Sequence, residues 1–396
     1  MNIKITPSLL SGTVAAVASK SYAHRAIIAA ALGDNPTEII LNTTSQDIEA
    51  TVNCIMALGG KVEKTEKGLM VYPVSEVPEK AVLNCGESGS TARFLIPVTA
   101  AIGTETVFKG CGRLPERPFK ELVEAITKGG AKATADKLPM TVYRGMKPGI
   151  YEIPGNISSQ YITGLLFALS TLEGESEIVL TTPPESEPYV DMTLRVLSDF
   201  GVKVKKMQNG YKIWGGKTTS PKTYTIEGDW SNAAFWLVAA RMGCEITVSG
   251  LNTDTLQGDK EILTQMWMNE INALQIPDLV PILAVGAAAR EGKTVIYNAA
   301  RLRIKESDRL TAIAENLKSL GAKVKELPDG LEIFGTGKLH GGRVKSYGDH
   351  RIVMAMAVAS CICCEPLVIE GAEAVEKSYP TFFEDFKMLG GKADVL

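Results

Sequence analysis

Leu58-Gly59-Gly60-Lys61-Val62 decides the fold because it comes back. It returns as Gly129-Gly130-Ala131-Lys132-Ala133, Phe200-Gly201-Val202-Lys203-Val204, Leu320-Gly321-Ala322-Lys323-Val324 and Leu389-Gly390-Gly391-Lys392-Ala393. Each copy closes an amphipathic stretch and leads into alternating residues. That pattern predicts a helix stopped by a glycine in the left-handed region, followed directly by a strand. Counted at Gly59, Gly129, Gly201, Gly321 and Gly390, the spacings are 70, 72, 120 and 69 residues. The long interval has room for one more copy that has lost its glycine, near Trp267-Met268-Asn269. Chance recurrence of a common helix stop accounts for one or two copies, not for five at this spacing. Six modules follow, three in each half of the chain. At roughly 70 residues each is a small α/β unit, not a turn of a short-repeat solenoid.

The bulk properties agree. A chain of 396 residues is too long for one compact core, so two domains are expected. The net charge of -3 and pI near 5.9 set aside a sequence-blind nucleic-acid binder, which is usually basic. No apolar run has the length of a membrane span, and Met1-Asn2-Ile3-Lys4-Ile5-Thr6 reads as the start of a strand, not as a signal segment. The 7 cysteines are odd in number and irregular in spacing, with no CxxC pair and only 3 histidines. They read as small hydrophobes in a reducing cytoplasm, with no metal expected.

The helices ahead of the glycines start in polar turns: Thr44-Ser45-Gln46-Asp47, Glu116-Arg117-Pro118, Glu187-Pro188-Tyr189, Lys305-Glu306-Ser307-Asp308-Arg309 and Ser378-Tyr379-Pro380. If equivalent helices lie parallel, their N-termini share a face rich in unpaired N–H groups, which suits anions. Ser19-Lys20-Ser21-Tyr22-Ala23-His24-Arg25 is then either an anion cradle or an ordinary solvated helix start, and it lacks the GxxxxGK[ST] of a nucleotide P-loop. Cys85-Gly86-Glu87-Ser88-Gly89-Ser90-Thr91-Ala92-Arg93 allows a backbone to approach a ligand closely. Ser158 and Ser159 in Asn156-Ile157-Ser158-Ser159-Gln160 are phosphate donors or helix caps. Asp278 in Gln275-Ile276-Pro277-Asp278 is an N-cap or a general base. Arg113-Leu114-Pro115-Glu116-Arg117-Pro118, Lys305-Glu306-Ser307-Asp308-Arg309, Asp349-His350-Arg351 and Glu376-Lys377-Ser378-Tyr379-Pro380 are charged or hydroxyl-bearing clusters set at the start of amphipathic or apolar runs.

Taken in this order, from Lys20 to Pro380, these segments resemble the enolpyruvylshikimate phosphate synthase family of enolpyruvyl transferases. The resemblance implies an α/β fold of two similar domains, each of three α/β units around a pseudo-threefold axis, an inside-out α/β barrel. It places a substrate-binding lobe at 19–228, and a second lobe, carrying the catalytic carboxylates, at 1–18 plus 229–396. The active site is expected in the cleft between them. The implied reaction moves the enolpyruvyl group of phosphoenolpyruvate onto the 5-hydroxyl of shikimate 3-phosphate and releases phosphate. No metal or organic cofactor, no nucleic acid and no membrane is implied, and a cytoplasmic monomer is expected.

Carried over position by position, Lys20, Arg117 and Lys377 resemble the ligands of the phosphoenolpyruvate phosphate. Arg309 and Arg351 resemble the bidentate clamp on its carboxylate, and Gly89 and Gln160 border the same substrate. Shikimate 3-phosphate is expected on Lys20, Ser21, Arg25, Ser158, Ser159, Gln160, Ser186, Tyr189, Asp278 and Lys305. Asp278 is expected to accept the hydroxyl proton. Glu306, with Lys20, is expected to exchange the proton at the methylene carbon. Gly89, where alanine excludes glyphosate in insensitive members, implies sensitivity to that inhibitor. Three positions depart from the family pattern: Glu87 and His24 each stand where asparagine is common, and Arg301 where asparagine or glutamate is common.

Three rival readings remain at the level of sequence. The sister enzyme that acts on UDP-N-acetylglucosamine uses a loop cysteine before Arg-Pro, and Cys111 precedes Arg117-Pro118. Its Lys-Asn pair, however, is replaced here by Lys20-Ser21. A non-catalytic anion-binding homologue has no need to keep Asp278, Glu306, Lys20 and Lys377 together. An RNA-end-processing enzyme on similar modules predicts a basic surface.

Overall fold

The computed structural model describes residues 1–396 and divides the chain into two compact units, Ala18–Glu227 and Met1–Val17 with Gly228–Leu396. The unit Ala18–Glu227 holds six of the helices: α1 (Lys20–Ala31), α2 (Gln46–Ala57), α3 (Gly89–Ile102), α4 (Lys120–Lys128), α5 (Ser159–Thr171) and α6 (Glu187–Asp199). They alternate between two kinds. In α1, α3 and α5 nearly every residue is buried, including the run from Phe94 to Ala100 in α3 and that from Tyr161 to Ser170 in α5. A helix apolar on all sides belongs inside a core. In α2 only Ile48, Thr51, Cys54 and Ile55 are buried, the one-faced spacing of an outer helix. The inner helices pack closely: a Cβ added at Gly164 of α5 would lie 2.2 Å from the carbonyl oxygen of Arg93 in α3.

Each module runs strand, inner helix, strand, outer helix, hairpin. In the middle one, Lys80–Asn84 pairs parallel with Glu105–Lys109, which pairs antiparallel with Met140–Tyr143, and Lys132–Ala133 closes the edge. Ile150–Ile153, Gly174–Leu180, Gly210–Gly215 and Lys203–Met207 repeat that order. The first module takes its leading strand from the far end of the unit: Thr223–Thr225 runs parallel to Thr37–Ile40. Within a module both helices start beyond the C-terminal ends of parallel strands, so both positive helix ends face the same way.

The other unit holds α7 (Trp230–Arg241), α8 (Ile262–Gln265), α9 (Val280–Ala288), α10 (Arg309–Ser319), α11 (His350–Ala359) and α12 (Phe382–Met388). One module is contiguous, with Glu270–Asn272, Gly292–Tyr297, Gly330–Gly335 and Lys323–Leu327 in one sheet. A second is completed by the N-terminus: Asn2–Thr6 lies between Leu367–Glu370 and Lys392–Val395. The third is reduced to Ser11–Ala15 parallel to Glu245–Ser249, a two-stranded sheet. Here the sequence expectation needs correcting. The stretch near Trp267 has lost more than a glycine. Its outer helix is the single turn Ile262–Gln265, and the following strand Glu270–Asn272 belongs to the next module, so the hairpin is gone.

The helix stops have the expected backbone at Gly59, Gly201, Gly321 and Gly390, with φ of +93°, +76°, +87° and +89°. In the remaining copy the left-handed residue is Gly130 (φ +104°), while Gly129 keeps φ -74°. Two adjacent glycines make the sequence ambiguous. Counting from Gly130 evens the first two spacings to 71 and 71 residues (130 − 59 and 201 − 130).

Candidate active site

In the unit Ala18–Glu227 the inner helices start at serines. Ser88 and Ser158 cap α3 and α5 by accepting from the backbone N–H of Thr91 (3.2 Å) and Gln160 (3.3 Å). Ser19 stands at the start of α1 without a side-chain cap bond, and Ser159 is buried at the first position of α5. Neutral caps satisfy N–H groups without cancelling the helix dipole with a carboxylate, so these ends stay attractive to phosphate. Lys20, the first residue of α1, reaches Asp47 Oδ2 in the first turn of α2 at 2.8 Å. Ser186, buried at the start of α6, has φ +54°. A non-glycine residue held there stores ~1–3 kcal/mol, which is characteristic of sites where geometry matters more than local comfort.

Two arginines organise this half. Arg25 is 2% exposed and donates to the carbonyls of Ser21 (2.6 Å) and Tyr189 (2.8 Å) and to Thr193 Oγ1 (2.9 Å). It therefore ties α1 to α6, and burial lowers its pKa to about 10. Arg93 places its guanidinium over the rings of Phe119 and Tyr161 and donates to Gln160 Oε1 at 2.7 Å. Gln160 in turn donates to Ser90 Oγ at 2.8 Å, which fixes its amide between α3 and α5. Arg117, also buried, places its guanidinium over Gly89: a Cβ at position 89 would lie 2.6 Å from Arg117 Nη1.

In the other unit the inner helices start at aspartates. Asp229 caps α7 through the N–H of Asn232 (2.8 Å), and Asp349 caps α11 through that of Arg351 (2.9 Å). Asp278 sits in the turn ahead of α9, and its carboxylate meets cations. Oδ1 accepts from Arg309 Nη1 at 2.8 Å, Oδ2 accepts from Arg351 Nη2 at 3.0 Å, and Lys305 Nζ is 3.8 Å away. Arg309, only 1% exposed, also donates to Asp349 Oδ2 (2.7 Å) and Glu306 Oε2 (2.8 Å). One guanidinium thus organises three carboxylates brought from the segments that lead into α9, α10 and α11. Lys377 donates to the carbonyl of Gly348, next to Asp349, at 2.6 Å.

These contacts set the protonation states. Burial pushes the Asp278 carboxyl up, but Arg351, Lys305 and Arg309 together hold it well below the usual carboxylate range. Burial lowers Lys305 to about 8 against the pull of Asp278 and Glu306. Burial, then the charge of Asp278, raises Asp259 to about 6. Burial also works against the charge of Arg309, but Asp349, Glu306 and Asp278 raise its pKa above the ordinary arginine value.

The three departures become intelligible. His24 is a core residue. Its Nδ1 is 2.7 Å from Thr51 Oγ1, in a buried chain through Thr91 to Ser88, and burial, then Lys20 and Arg25, holds its pKa well below the ordinary histidine value. The Glu87 carboxylate lies over Gly112, in the loop that follows Glu105–Lys109. Arg301 donates to the carbonyl of Leu274 at 3.0 Å and so steadies the segment leading to Asp278. Three acidic residues gained no role from sequence. Asp47 stood out only as part of a helix start, Asp349 only as a neighbour of Arg351, and Asp259 not at all. Each has its decisive partner far away in the chain. No group of three or more His, Cys, Asp and Glu side chains is arranged to hold a metal ion, the cysteines are free thiols, and no helix is long and apolar enough to cross a membrane.

One unit presents serine-capped helix ends of the kind that attract phosphate, and the other a carboxylate–arginine cluster, chemistry that suits a transferase acting on phosphorylated anions. The model of the family described as EPSP synthase (3-phosphoshikimate 1-carboxyvinyltransferase) matches residues 5–273 and 266–386. The chain is similar to the 3-phosphoshikimate 1-carboxyvinyltransferase of Clostridium kluyveri, at 45% identity over 417 residues, covering 99% of this chain and 98% of the relative. It is 41% identical to that of Clostridioides difficile over 431 residues, again covering 99% and 98%. The solved EPSP synthase of Acinetobacter baumannii superposes with a TM-score of 0.83 at 27% identity, covering 100% of each chain. The chain belongs to the EPSP synthase family.

Proposed function

We propose that the chain transfers the enolpyruvyl group of phosphoenolpyruvate to the 5-hydroxyl of shikimate 3-phosphate, with release of inorganic phosphate. The observation that carries the chemistry is the pair Asp278 and Glu306, held 2.8 Å from the two Nη atoms of Arg309. That gives two carboxylates for proton transfer beside cations suited to a substrate carboxylate. In the addition step Asp278 takes the hydroxyl proton as the oxygen bonds to C2 of phosphoenolpyruvate, and C3 gains a proton from Glu306, with Lys20 assisting. In the elimination step C3 returns a proton, the C2–O bond to phosphate breaks, and the vinyl double bond re-forms.

In this reading Lys20, Arg117 and Lys377 hold the donor phosphate, Arg309 and Arg351 its carboxylate, and Gly89 and Gln160 line its place. Ser21, Arg25, Ser158, Ser159, Ser186, Tyr189 and Lys305 serve shikimate 3-phosphate. The reading requires the cationic sets of both units to serve one pair of substrates. Together the substrates carry two phosphates and two carboxylates, and each charge-assisted hydrogen bond to them contributes ~1.5–3 kcal/mol. The direct test is phosphate release from phosphoenolpyruvate. It should appear with shikimate 3-phosphate and be absent without it, and release with UDP-N-acetylglucosamine alone would reverse the assignment.

Cys111 separates this reading from the sister reaction. The thiol is exposed and no step above uses it. Cys111→Ser should therefore keep turnover within roughly twofold, the range of surface substitutions, whereas total loss in a folded variant would favour the sister chemistry.

Gly89→Ala should displace the Arg117 guanidinium, since the new Cβ would lie 2.6 Å from Nη1 and 2.9 Å from Cζ. Weakening one such charge-assisted contact by ~1–2 kcal/mol raises KM for phosphoenolpyruvate by about 5- to 30-fold, with a smaller change in kcat. Glyphosate inhibition should weaken in the same variant, and initial-rate kinetics checks both.

The lowered pKa of Lys305 gives a pH dependence with a definite sign. Below about pH 8 the ammonium is charged and available to shikimate 3-phosphate, and as pH rises through that value the charge is lost. The Kd for shikimate 3-phosphate should therefore rise by ~10- to 30-fold between neutral pH and about pH 9.5, as measured by calorimetry. A flat profile would remove Lys305 from the phosphate contacts.

A further inference from the structure

Asp278 is poorly placed to accept a proton while arginines hold both of its oxygens. Arg309 Nη1 is 2.8 Å from Oδ1 and Arg351 Nη2 is 3.0 Å from Oδ2, while Arg351 Nη1 lies 3.4 Å from the Asp278 carbonyl oxygen. Lys305 approaches Oδ1 at 3.8 Å. Two further carboxylates, Glu306 and Asp259, act on it from other elements.

Arg309 has little freedom to turn away from this cluster. Its Nε is fixed on Asp349 at 2.7 Å and its Nη2 on Glu306 at 2.8 Å, with the side chain 1% exposed. Two donors, Arg309 Nη1 and Arg351 Nη2, bond the carboxylate of Asp278, and both belong to the arginines assigned above to the donor carboxylate.

A substrate carboxylate added to this cluster with Asp278 in place would crowd like charges around two guanidiniums. A substrate carboxylate that replaces Asp278 leaves the charge count at the guanidiniums unchanged and satisfies the same donors with the same chemical group. We infer that the carboxylate of phosphoenolpyruvate takes over these two donors from Asp278, so that arrival of the donor substrate releases the general base. The inference rests on the proposed function and deepens it: the acceptor hydroxyl meets a competent base only when the donor is bound, which prevents idle deprotonation. Arg309 and Arg351 then have two successive partners, the protein's own carboxylate and the substrate's.

The test uses the full chain with carbon-13 in its aspartate carboxyl groups. The Asp278 resonance is assigned by its disappearance in Asp278→Asn. Its pH titration is followed in the free enzyme, with phosphoenolpyruvate and with inorganic phosphate, and binding is followed by the phosphorus resonance of each ligand. Phosphoenolpyruvate should raise the titration midpoint by about one to two pH units, the effect of losing an adjacent opposite charge, and inorganic phosphate should leave it unchanged. In Arg351→Gln the midpoint should already be raised in the free enzyme, and phosphoenolpyruvate should move it less than in the parent. A phosphoenolpyruvate phosphorus resonance that reports binding while the Asp278 midpoint stays at its free value overturns the exchange and leaves the assigned function standing. Absence of any binding, with or without shikimate 3-phosphate, overturns the assigned function and the exchange with it.

Discussion

Asp278→Asn is expected to lower kcat by ~10²–10⁴-fold, the range of a lost general base, while phosphoenolpyruvate binds more tightly than to the parent. The two effects have one cause. On the proposed mechanism the substitution removes the acceptor of the hydroxyl proton, and it also removes the charge proposed to compete for Arg309 Nη1 and Arg351 Nη2, now 2.8 and 3.0 Å from its oxygens. An amide keeps the shape and part of the hydrogen bonding, so the fold should survive, which far-ultraviolet circular dichroism checks. Steady-state rates and direct measurement of the phosphoenolpyruvate Kd separate the two effects. Turnover within tenfold of the parent would remove Asp278 from the chemistry, and a weakened Kd would mean that its carboxylate supports the donor site instead of competing for it.

Arg309→Ala is expected to destabilise the unit Met1–Val17 with Gly228–Leu396 by ~3–5 kcal/mol and to abolish turnover. Arg309 is 1% exposed and carries Asp278, Glu306 and Asp349, the last fully buried. Without the guanidinium, three carboxylates share a low-dielectric volume and repel one another, which favours protonation of the cluster. The sign of the pH effect follows. Repulsion within the folded cluster makes the variant take up protons more readily than its unfolded chain, so the variant loses stability as pH rises toward neutral. Its deficit against the parent should therefore narrow between neutral pH and about pH 5. Urea unfolding of both proteins at the two pH values measures this, and equal stability at neutral pH would mean that the cluster contributes nothing to the fold.

The modular architecture was legible because the left-handed helix stop is a position that glycine fills without strain, and its period exposes units that cannot be seen one at a time. The same signal failed where glycines adjoin: Gly129 and Gly130 look equivalent in sequence, and only the backbone shows that Gly130 carries φ +104°. The reduced module was half legible. A missing hairpin leaves a spacing without a residue to mark it, so the region near Trp267 was located while the extent of its loss was not.

The site divided along similar lines. Arginines, lysines and serines at helix starts announced themselves by type and order. Asp278 and Glu306 read as proton-transfer groups, but not as partners of Arg309, and Asp349 was not given a role at all. The distances from Arg309 to Asp278 and Asp349 are 31 and 40 residues along the chain, so no local pattern joins them. Asp47 was hidden the same way, 27 residues from Lys20. His24 illustrates the opposite error. A polar residue in a charged segment invites a surface or ligand role, yet this one is turned inward to Thr51 and is 1% exposed.

The proposed function has lysines and arginines of each unit contacting the two polyanionic substrates. A crystal structure with shikimate 3-phosphate and glyphosate bound tests it most directly. Lys20, Arg309, Arg351 and Lys377 should lie within hydrogen-bonding distance of ligand oxygens, with both ligands fully occupied. Ligands bound with Lys20, Arg309 and Lys377 directed into bulk solvent would contradict it.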